Sequence, residues 1–357
     1  MMFNVDTDVG FMIKGYAVPD GYDSYCNVVL RSEGRDLLVI PANGLREFKL
    51  VPGRHIDSNC GFYVDESQLD VLSQLSDLEL LDQETGVSIY RRRKPEHTQS
   101  RVFRLESHLL PLWRIDNKMN SRFQYWGTQI ERHGRETIGQ IFHLVQYDSA
   151  YISGRLTYPS VRQWVEEIFR VAFIMHHPYE ELAERLIVLR QIADRDKVLS
   201  SRDATSFAPI MAFARSLPLH DEAALTRALR ETPRGIDRIL ANPVTRQLTC
   251  EQFDQTPGGR ALTTALDTLA SFEIVGLRRS PAPFLNAIAE VGNISPDTMP
   301  PLSTLPGVTT LAKALKRSRE FDGLLELDLQ VYAHVAAAYK KAGQVYASST
   351  MTLPKVG

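Results

Sequence analysis

The chain has 357 residues, of which 43% are hydrophobic and 24% charged. That composition supports a sizeable core and excludes a wholly disordered or fibrous chain, and the length suggests two domains. Forty-one Lys and Arg against 43 Asp and Glu leave a net charge of −2, which does not indicate a generally basic nucleic-acid binder.

Asp6 and Asp8 come early and no basic stretch precedes an apolar one, so no signal peptide is expected at the N-terminus. No apolar run approaches the ~18 residues of a membrane helix. A soluble, cytoplasmic chain is the expectation. Cys26, Cys60 and Cys250 stand singly. Free buried thiols are expected rather than a zinc knuckle or disulfide framework, with a Cys26–Cys60 bridge as the alternative.

In chain order, residues 10–18, 26–31, 36–40 and 60–64 read as strands. Pro19-Asp20-Gly21, Ser32-Glu33-Gly34 and Val51-Pro52-Gly53 supply turn chemistry between them. Short strands at this spacing suggest a small sandwich. Leu at helical spacing predicts a linking helix over 67–81, and 87–90 is a compact apolar strand. Residues 104–115 and 117–131 are expected to be largely helical, 150–153 a strand, 158–168 a helix and 171–175 a buried strand.

Pro178 at a first turn followed by Glu180 and Glu181 predicts an amphipathic helix to residue 199, with Leu182, Leu186 and Leu189 on its apolar face. A helix-rich stretch over 204–270 follows, then a strand at 272–277 and a helix at 284–291. Residues 293–308 form a Pro-rich loop and 311–343 are mostly helix. Alternating strands and helices indicate a layered α/β domain.

Arg91-Arg92-Arg93-Lys94 follows the 87–90 strand, with Arg101 and Arg104 close behind. Guanidinium forks behind a strand and ahead of a helix can cradle phosphate or sulfate. The other reading is a patch paired with acidic side chains. His176-His177 falls at the C-terminal end of a strand, where α/β sheets place their sites. Either His176 is a general base or one imidazole caps the next helix while the other packs. His108 and His143 are further base candidates. Arg155 could bind an anionic substrate or pair with Glu180, Glu181 or Glu184, and Arg185 is spaced to pair with Glu181. Adjacent residues on a strand point to opposite faces, so no metal site is expected from His176 and His177. Pro257-Gly258-Gly259-Arg260 is either an anion nest or a turn before a helix.

The segment order resembles bacterial sulfotransferase-like families that modify surface polysaccharides. Four pieces carry the similarity. Lys94 and Thr98, in Ile89-Tyr90-Arg91-Arg92-Arg93-Lys94-Pro95-Glu96-His97-Thr98, keep the Lys-to-Thr spacing of a donor loop read Lys-Thr-Gly-Gly-Thr-Ser. Tyr151-Ile152-Ser153-Gly154-Arg155 is similar to a strand ending in Ser-Gly-His. Phe173-Ile174-Met175-His176-His177-Pro178 is similar to the strand–Arg-Asp-Pro–helix segment that holds the donor's 3′-phosphate. Phe272-Glu273-Ile274-Val275-Gly276-Leu277 resembles the late strand. The front 65 residues resemble a β-sandwich module attached to glycan-processing enzymes.

The resemblance implies a P-loop-type, sulfotransferase-like layered α/β domain over 81–357, preceded by a small β-sandwich with a linker helix over 1–80. It implies sulfate transfer from the nucleotide donor PAPS to a glycan or glycolipid hydroxyl in bacterial polysaccharide or lipopolysaccharide biosynthesis. Arg91, Arg92, Arg93, Lys94, Thr98, Ser153 and Arg155 would hold the donor, Lys94 would stabilise the moving sulfuryl group, and His176 or His108 would take the acceptor proton. No metal, nucleic acid or integral membrane segment is expected. The sequence departs from the family where glycines become Glu96 and His97 and the phosphate Arg becomes His176. At ~4 Å and an effective dielectric near 20, a carboxylate beside a phosphate costs about 4 kcal/mol. Two further readings therefore stand: a non-catalytic descendant acting as a binding or scaffold protein with a biosynthetic partner, and a glycosyltransferase.

Overall fold

A computed structural model describes residues 1–20, 25–45, 59–144, 147–194, 201–219, 221–231, 235–236, 240–319 and 321–350. The turn expected at 51–53, most of Asp20-Gly21-Tyr22-Asp23, and the last residues of the helix expected to reach 199 lie outside them.

The front of the chain forms two antiparallel sheets. One, ordered β1-β2-β6-β5, uses β1 (Met2–Asp8), β2 (Met12–Val18), β5 (Gly44–Leu45) and β6 (Asn59–Asp65). The other, ordered β4-β3-β7-β8, uses β3 (Cys26–Ser32), β4 (Arg35–Ala42), β7 (Leu78–Asp82) and β8 (Ser88–Arg91). Phe3, Ile13, Phe62 and Val64 of the first share one core with Val28, Leu30, Leu80 and Ile89 of the second. The β3–β4 hairpin turns on Glu33 and Gly34, both at positive φ (48° and 76°). Two such residues match the right-handed twist of the flanking strands, which is the use expected of Gly34.

Three expectations are corrected here. Met2–Asp8 is a strand that the sequence reading passed over. The helix expected over 67–81 is instead a single 3-10 turn, Leu72–Gln74, followed by β7. Leu78 and Leu80 are both fully buried, a period of two rather than 3.6. The strand at 87–90 is β8, an edge of the antiparallel sheet and not the first strand of the α/β layer. The antiparallel part therefore runs past residue 80 to Arg91.

The rest is mixed α/β around a five-stranded, all-parallel sheet ordered β10-β11-β9-β12-β13. Its strands are β9 (Arg101–Leu105), β10 (Tyr125–Gly127), β11 (Ala150–Gly154), β12 (Arg170–Met175) and β13 (Ile274–Leu277). The helices between and after them are α1 (Trp113–Asn120), α2 (Arg135–Phe142), α3 (Tyr158–Val165), α4 (Pro178–Asp194), α5 (Ser201–Ser216), α6 (Glu222–Arg230), α7 (Pro243–Thr249), α8 (Ala261–Ser271), α9 (Ala282–Val291), α10 (Val308–Ser318) and α11 (Glu326–Thr350). Phe103, Val171 and Phe173 face α2, α3, α7 and α8, while Val102, Ala172 and Ile174 face α1 and α9. Alternation across two covered faces is what a central parallel strand requires.

The helices expected over 104–115 and 117–131 are corrected to β9, α1 and β10, and α2 is an unanticipated helix. The run expected as one helix over 311–343 breaks between α10 and α11. A second apolar cluster joins α4, α5, α6 and α10, with Leu182, Leu186 and Leu189 of α4 buried in it as expected. Each such leucine contributes roughly 1.5–3 kcal/mol. The three cysteines are free and buried. No helix among the described residues is long and apolar enough to cross a membrane.

Candidate functional site

Because the five strands are parallel, the loops that leave them gather at one edge of the sheet. From β9 the chain moves out to β10 on one side, and from β12 to β13 on the other. Sheets of this kind open their crevices where adjacent strands send their connections in opposite directions. That place is the space between the ends of β9 and β12. His108 follows β9 and His176 follows β12, and their rings lie 5.8 Å apart. Ser153 and Arg155 end β11, the neighbour of β9 on the other side. The structure thus brings four of the sequence candidates, His108, His176, Ser153 and Arg155, to one edge.

What fills this edge is an array of buried charges. Arg104 on β9 is 1% exposed. Its guanidinium donates to both Asp116 carboxylate oxygens (Nη2, 2.8 and 2.9 Å), to the Tyr151 hydroxyl (Nε, 3.0 Å) and to Glu106 Oε2 (Nη1, 2.6 Å). Asp116 comes from α1 and Tyr151 from β11, so the network ties two strands of the sheet to the helix packed on it.

Glu106 is the centre of the β9–α1 loop. Its Oε1 accepts the His108 backbone N–H at 3.1 Å and lies 2.7 Å from His108 Nδ1. Its Oε2 accepts the backbone N–H of Leu112, the residue preceding α1, at 2.9 Å. Loop amides and a helix N-terminus converging on an anion are the elements of a phosphate cradle. Here the anion is the chain's own carboxylate. Burial alone would raise the Glu106 pKa, but the Arg104 charge and the His108 contact hold it well below the usual range. Burial likewise disfavours the His108 cation, and the Glu106 hydrogen bond and the Glu181 charge overcome it and raise the imidazole's pKa.

The opposite wall is the start of α4. His108 Nε2 stands 3.9 Å from Glu181 Oε2, and Glu181 Oε1 accepts from Arg185 Nε at 2.7 Å, the i,i+4 pair foreseen in the sequence. Arg185 also donates to the Ser107 carbonyl at 2.7 Å. His176 Nδ1 lies 3.0 Å from Glu180 and its Nε2 3.7 Å from Glu184. The His176 contact is foremost in lowering the Glu180 pKa to about 2, and Arg279 adds to it against the opposing effect of burial. Arg278, just past β13, closes on Glu184 at 3.0 Å. His177 turns away: it packs edge-on against Tyr332, with ring centroids 4.8 Å apart, and burial lowers its pKa to about 4.

At the end of β11, Glu131 Oε2 accepts the Arg155 backbone N–H at 3.0 Å. A Cβ at Gly154 would stand 2.6 Å from Ile130 and 3.0 Å from that same carboxylate oxygen, so glycine is required for the close approach. The Arg155 guanidinium lies over Phe253, 5.9 Å from its ring centroid. Ser153 is buried within the strand.

The basic segment is not part of this edge. Thr98 lies just before β9, whose first residue Arg101 pairs with Ala150, the first residue of β11. Residues 91–98 therefore approach the N-terminal end of the sheet, while His108 and His176 sit beyond its C-terminal end. Five strand residues at ~3.3 Å each separate the two. Arg92 is paired with Asp8 at 2.8 Å, Lys94 with Asp77 at 2.6 Å, and Arg91 donates to Asn120 and approaches Asp77 at 3.7 Å. Arg93 is exposed, and the Thr98 hydroxyl donates to the Val291 carbonyl. The expected gathering of Lys94 and its arginines with His176 is corrected accordingly: the segment follows an antiparallel edge strand, and Arg91, Arg92 and Lys94 face Asp8 and Asp77 of the antiparallel part. Arg104, counted with the cations of that patch, is the buried anchor of the real edge.

Comparison with known proteins finds no matching family model, no matching curated protein and no matching solved structure. The site therefore rests on its geometry. The sequence reading missed Glu106, Asp116, Glu131 and Arg278. The available signal was Val102-Phe103-Arg104-Leu105, a strand-length run with a single Arg among apolar residues, closed by Glu-Ser-His. Among the described residues no three His, Cys, Asp or Glu side chains are grouped to hold a metal ion.

Proposed function

We propose that this chain is a sulfotransferase-like protein whose donor edge is closed by its own carboxylates, a non-catalytic descendant serving as a binding or scaffold protein in bacterial glycan assembly. The observation that carries the reading is Glu106. Its carboxylate takes both loop amides and the Arg104 guanidinium, the donors a nucleotide phosphate would need. At the end of β11 Glu131 likewise takes a loop amide, the Arg155 N–H. Around them Asp116, Glu180, Glu181 and Glu184 already match Arg104, Arg185, Arg278 and Arg279. A dianionic ligand entering this edge would meet this buried negative charge, with Arg104, Arg185, Arg278 and Arg279 already engaged.

The test is calorimetric titration with adenosine 3′,5′-bisphosphate, the product form of PAPS. No saturable heat at millimolar nucleotide is expected. A dissociation constant below about 0.1 mM, or ~5 kcal/mol of binding free energy, would overturn the reading.

One observation favours an active transferase instead. His108 has Nδ1 held by a buried carboxylate and, among the described residues, no hydrogen-bond partner at Nε2, the arrangement that orients an acid–base imidazole. Sulfate transfer from PAPS to a glycan by the wild-type chain, abolished in His108→Gln with the fold intact, would establish that reading.

A further inference from the structure

Away from the carboxylate-filled edge, β8 and β10 are outermost strands of their respective sheets, and they face each other where the antiparallel and parallel layers meet. A cavity of about 200 Å³ opens between them, partly closed by the loop that leaves β10. At ~30 Å³ per water in the liquid, that is room for a guest of about six or seven waters' bulk.

The chemistry of its lining is specific. Leu81, Val87, Ile130 and Ile141 contribute apolar surface. Tyr125, Thr128 and His133 contribute a phenol, an alcohol and an imidazole, and among the described residues none of these three side chains has a hydrogen-bonding or ionic partner. Burial lowers the His133 pKa, so the ring is neutral near pH 7 and offers one donor and one acceptor. Ser88 and Glu79 lie alongside, the hydroxyl donating to the carboxylate at 3.2 Å. The one cation, Arg31, is tied to Asp36 at 2.6 Å. Burial works against the Glu79 charge and raises its pKa, so a guest meets neither a free cation nor a favoured anion. Hydroxyl-rich polar groups opposite an aliphatic wall, with the one cation paired and burial working against the one carboxylate charge, suit a guest that is itself neutral, hydroxylated on its rim and apolar on its C–H face.

We propose that this cavity binds a single neutral pyranose. Phosphate or sulfate would find no free cation in the lining. The site is independent of the donor-edge reading: it involves neither Glu106 nor the histidine pair, and it stands whether or not the chain transfers sulfate.

The experiment is saturation-transfer NMR on the full chain with D-glucose, D-galactose, D-mannose and N-acetyl-D-glucosamine, and with glucosamine and inorganic phosphate as charged controls. At least one neutral sugar is expected to saturate in the millimolar range. Tyr125→Phe and His133→Leu should each weaken it by about fivefold, the loss of one modest hydrogen bond, with melting temperatures close to that of the parent. Should His133→Leu fold poorly, Tyr125→Phe decides, because it removes a single oxygen from a ring that stays in the core. The proposal is overturned if no neutral sugar saturates by ~50 mM, if both variants bind as the parent does, or if phosphate or glucosamine binds more tightly than every neutral sugar.

Discussion

If Glu106 is a built-in anion, removing it should leave a seat that an external anion can fill. In Glu106→Ala the donors that now converge on the carboxylate remain: Arg104 Nη1, the His108 backbone N–H and ring, and the Leu112 N–H. Breaking one partner of a buried charge pair costs ~3–5 kcal/mol. The lower figure applies here, because Arg104 keeps its two-point contact with Asp116. At ~2–4 °C per kcal/mol the melting temperature should fall by roughly 6–12 °C. Formate, a carboxylate without a side chain, should then restore part of the loss. An anion present at 100 times its dissociation constant returns ~2.7 kcal/mol. Thermal denaturation of parent and variant at pH 7, with formate titrated against matched chloride, reads both effects. A fall of under about 2 °C would show that the carboxylate holds nothing together. Formate stabilising the parent as much as the variant would show that the seat is not occupied by Glu106. Either result refutes the reasoning.

The other predictions use simpler perturbations. The His108 pKa is raised above its ordinary 6.5, so its stabilising contribution is complete below pH 6.5 and is lost as pH rises through the folded value. Melting temperatures between pH 6 and 9 should show a downward slope in the parent that is absent in His108→Gln; identical slopes would remove His108 from the network. Lys94→Ala breaks only a partly exposed pair with Asp77, whose carboxylate also stays near Arg91, and should cost about 1 kcal/mol or less by urea denaturation; a loss of several kcal/mol would mean that the basic segment does more than pair with the carboxylates of the antiparallel part. Asp328 accepts the Val244 and Thr245 backbone N–H groups at the start of α7, at 3.1 and 2.7 Å. Asp328→Ala should cost about 2 kcal/mol, the upper range for a lost helix cap, and an unchanged denaturation midpoint would contradict it. Gly154→Ala must displace the loop at Ile130 and Glu131 and should lower the melting temperature by several degrees, as overpacking of ~1–3 kcal/mol does; a neutral result would mean that this loop yields freely.

How far the sequence reveals this molecule depends on which physical signal each segment carries. Strands 12–18, 26–32 and 170–175 were legible because turn residues or an uninterrupted apolar run bound them. So was the start of α4, announced by Pro178 and two acidic residues. Strand β9 was not legible, for a reason intrinsic to its role. A central parallel strand is covered on both faces and shows no alternation, and its mid-strand charge, Arg104, reads as surface although it is 1% exposed. Once Arg104 is taken as a helix residue, the next strand back, Ile89-Tyr90, becomes the apparent leader of the α/β layer, and the donor loop is sought at Lys94. The cations there do lie behind a strand, but that strand ends an antiparallel sheet. A buried Arg can be recognised only by its partners, and Asp116, Tyr151 and Glu106 stand 12, 47 and 2 positions away. The same arithmetic bears on function. A phosphate loop is legible because glycines advertise it, whereas a loop that carries its own anion needs no glycine and looks like ordinary chain. Glu106 is therefore silent in the sequence for the reason it is decisive in the fold: the charge that would mark a ligand site is already satisfied from within.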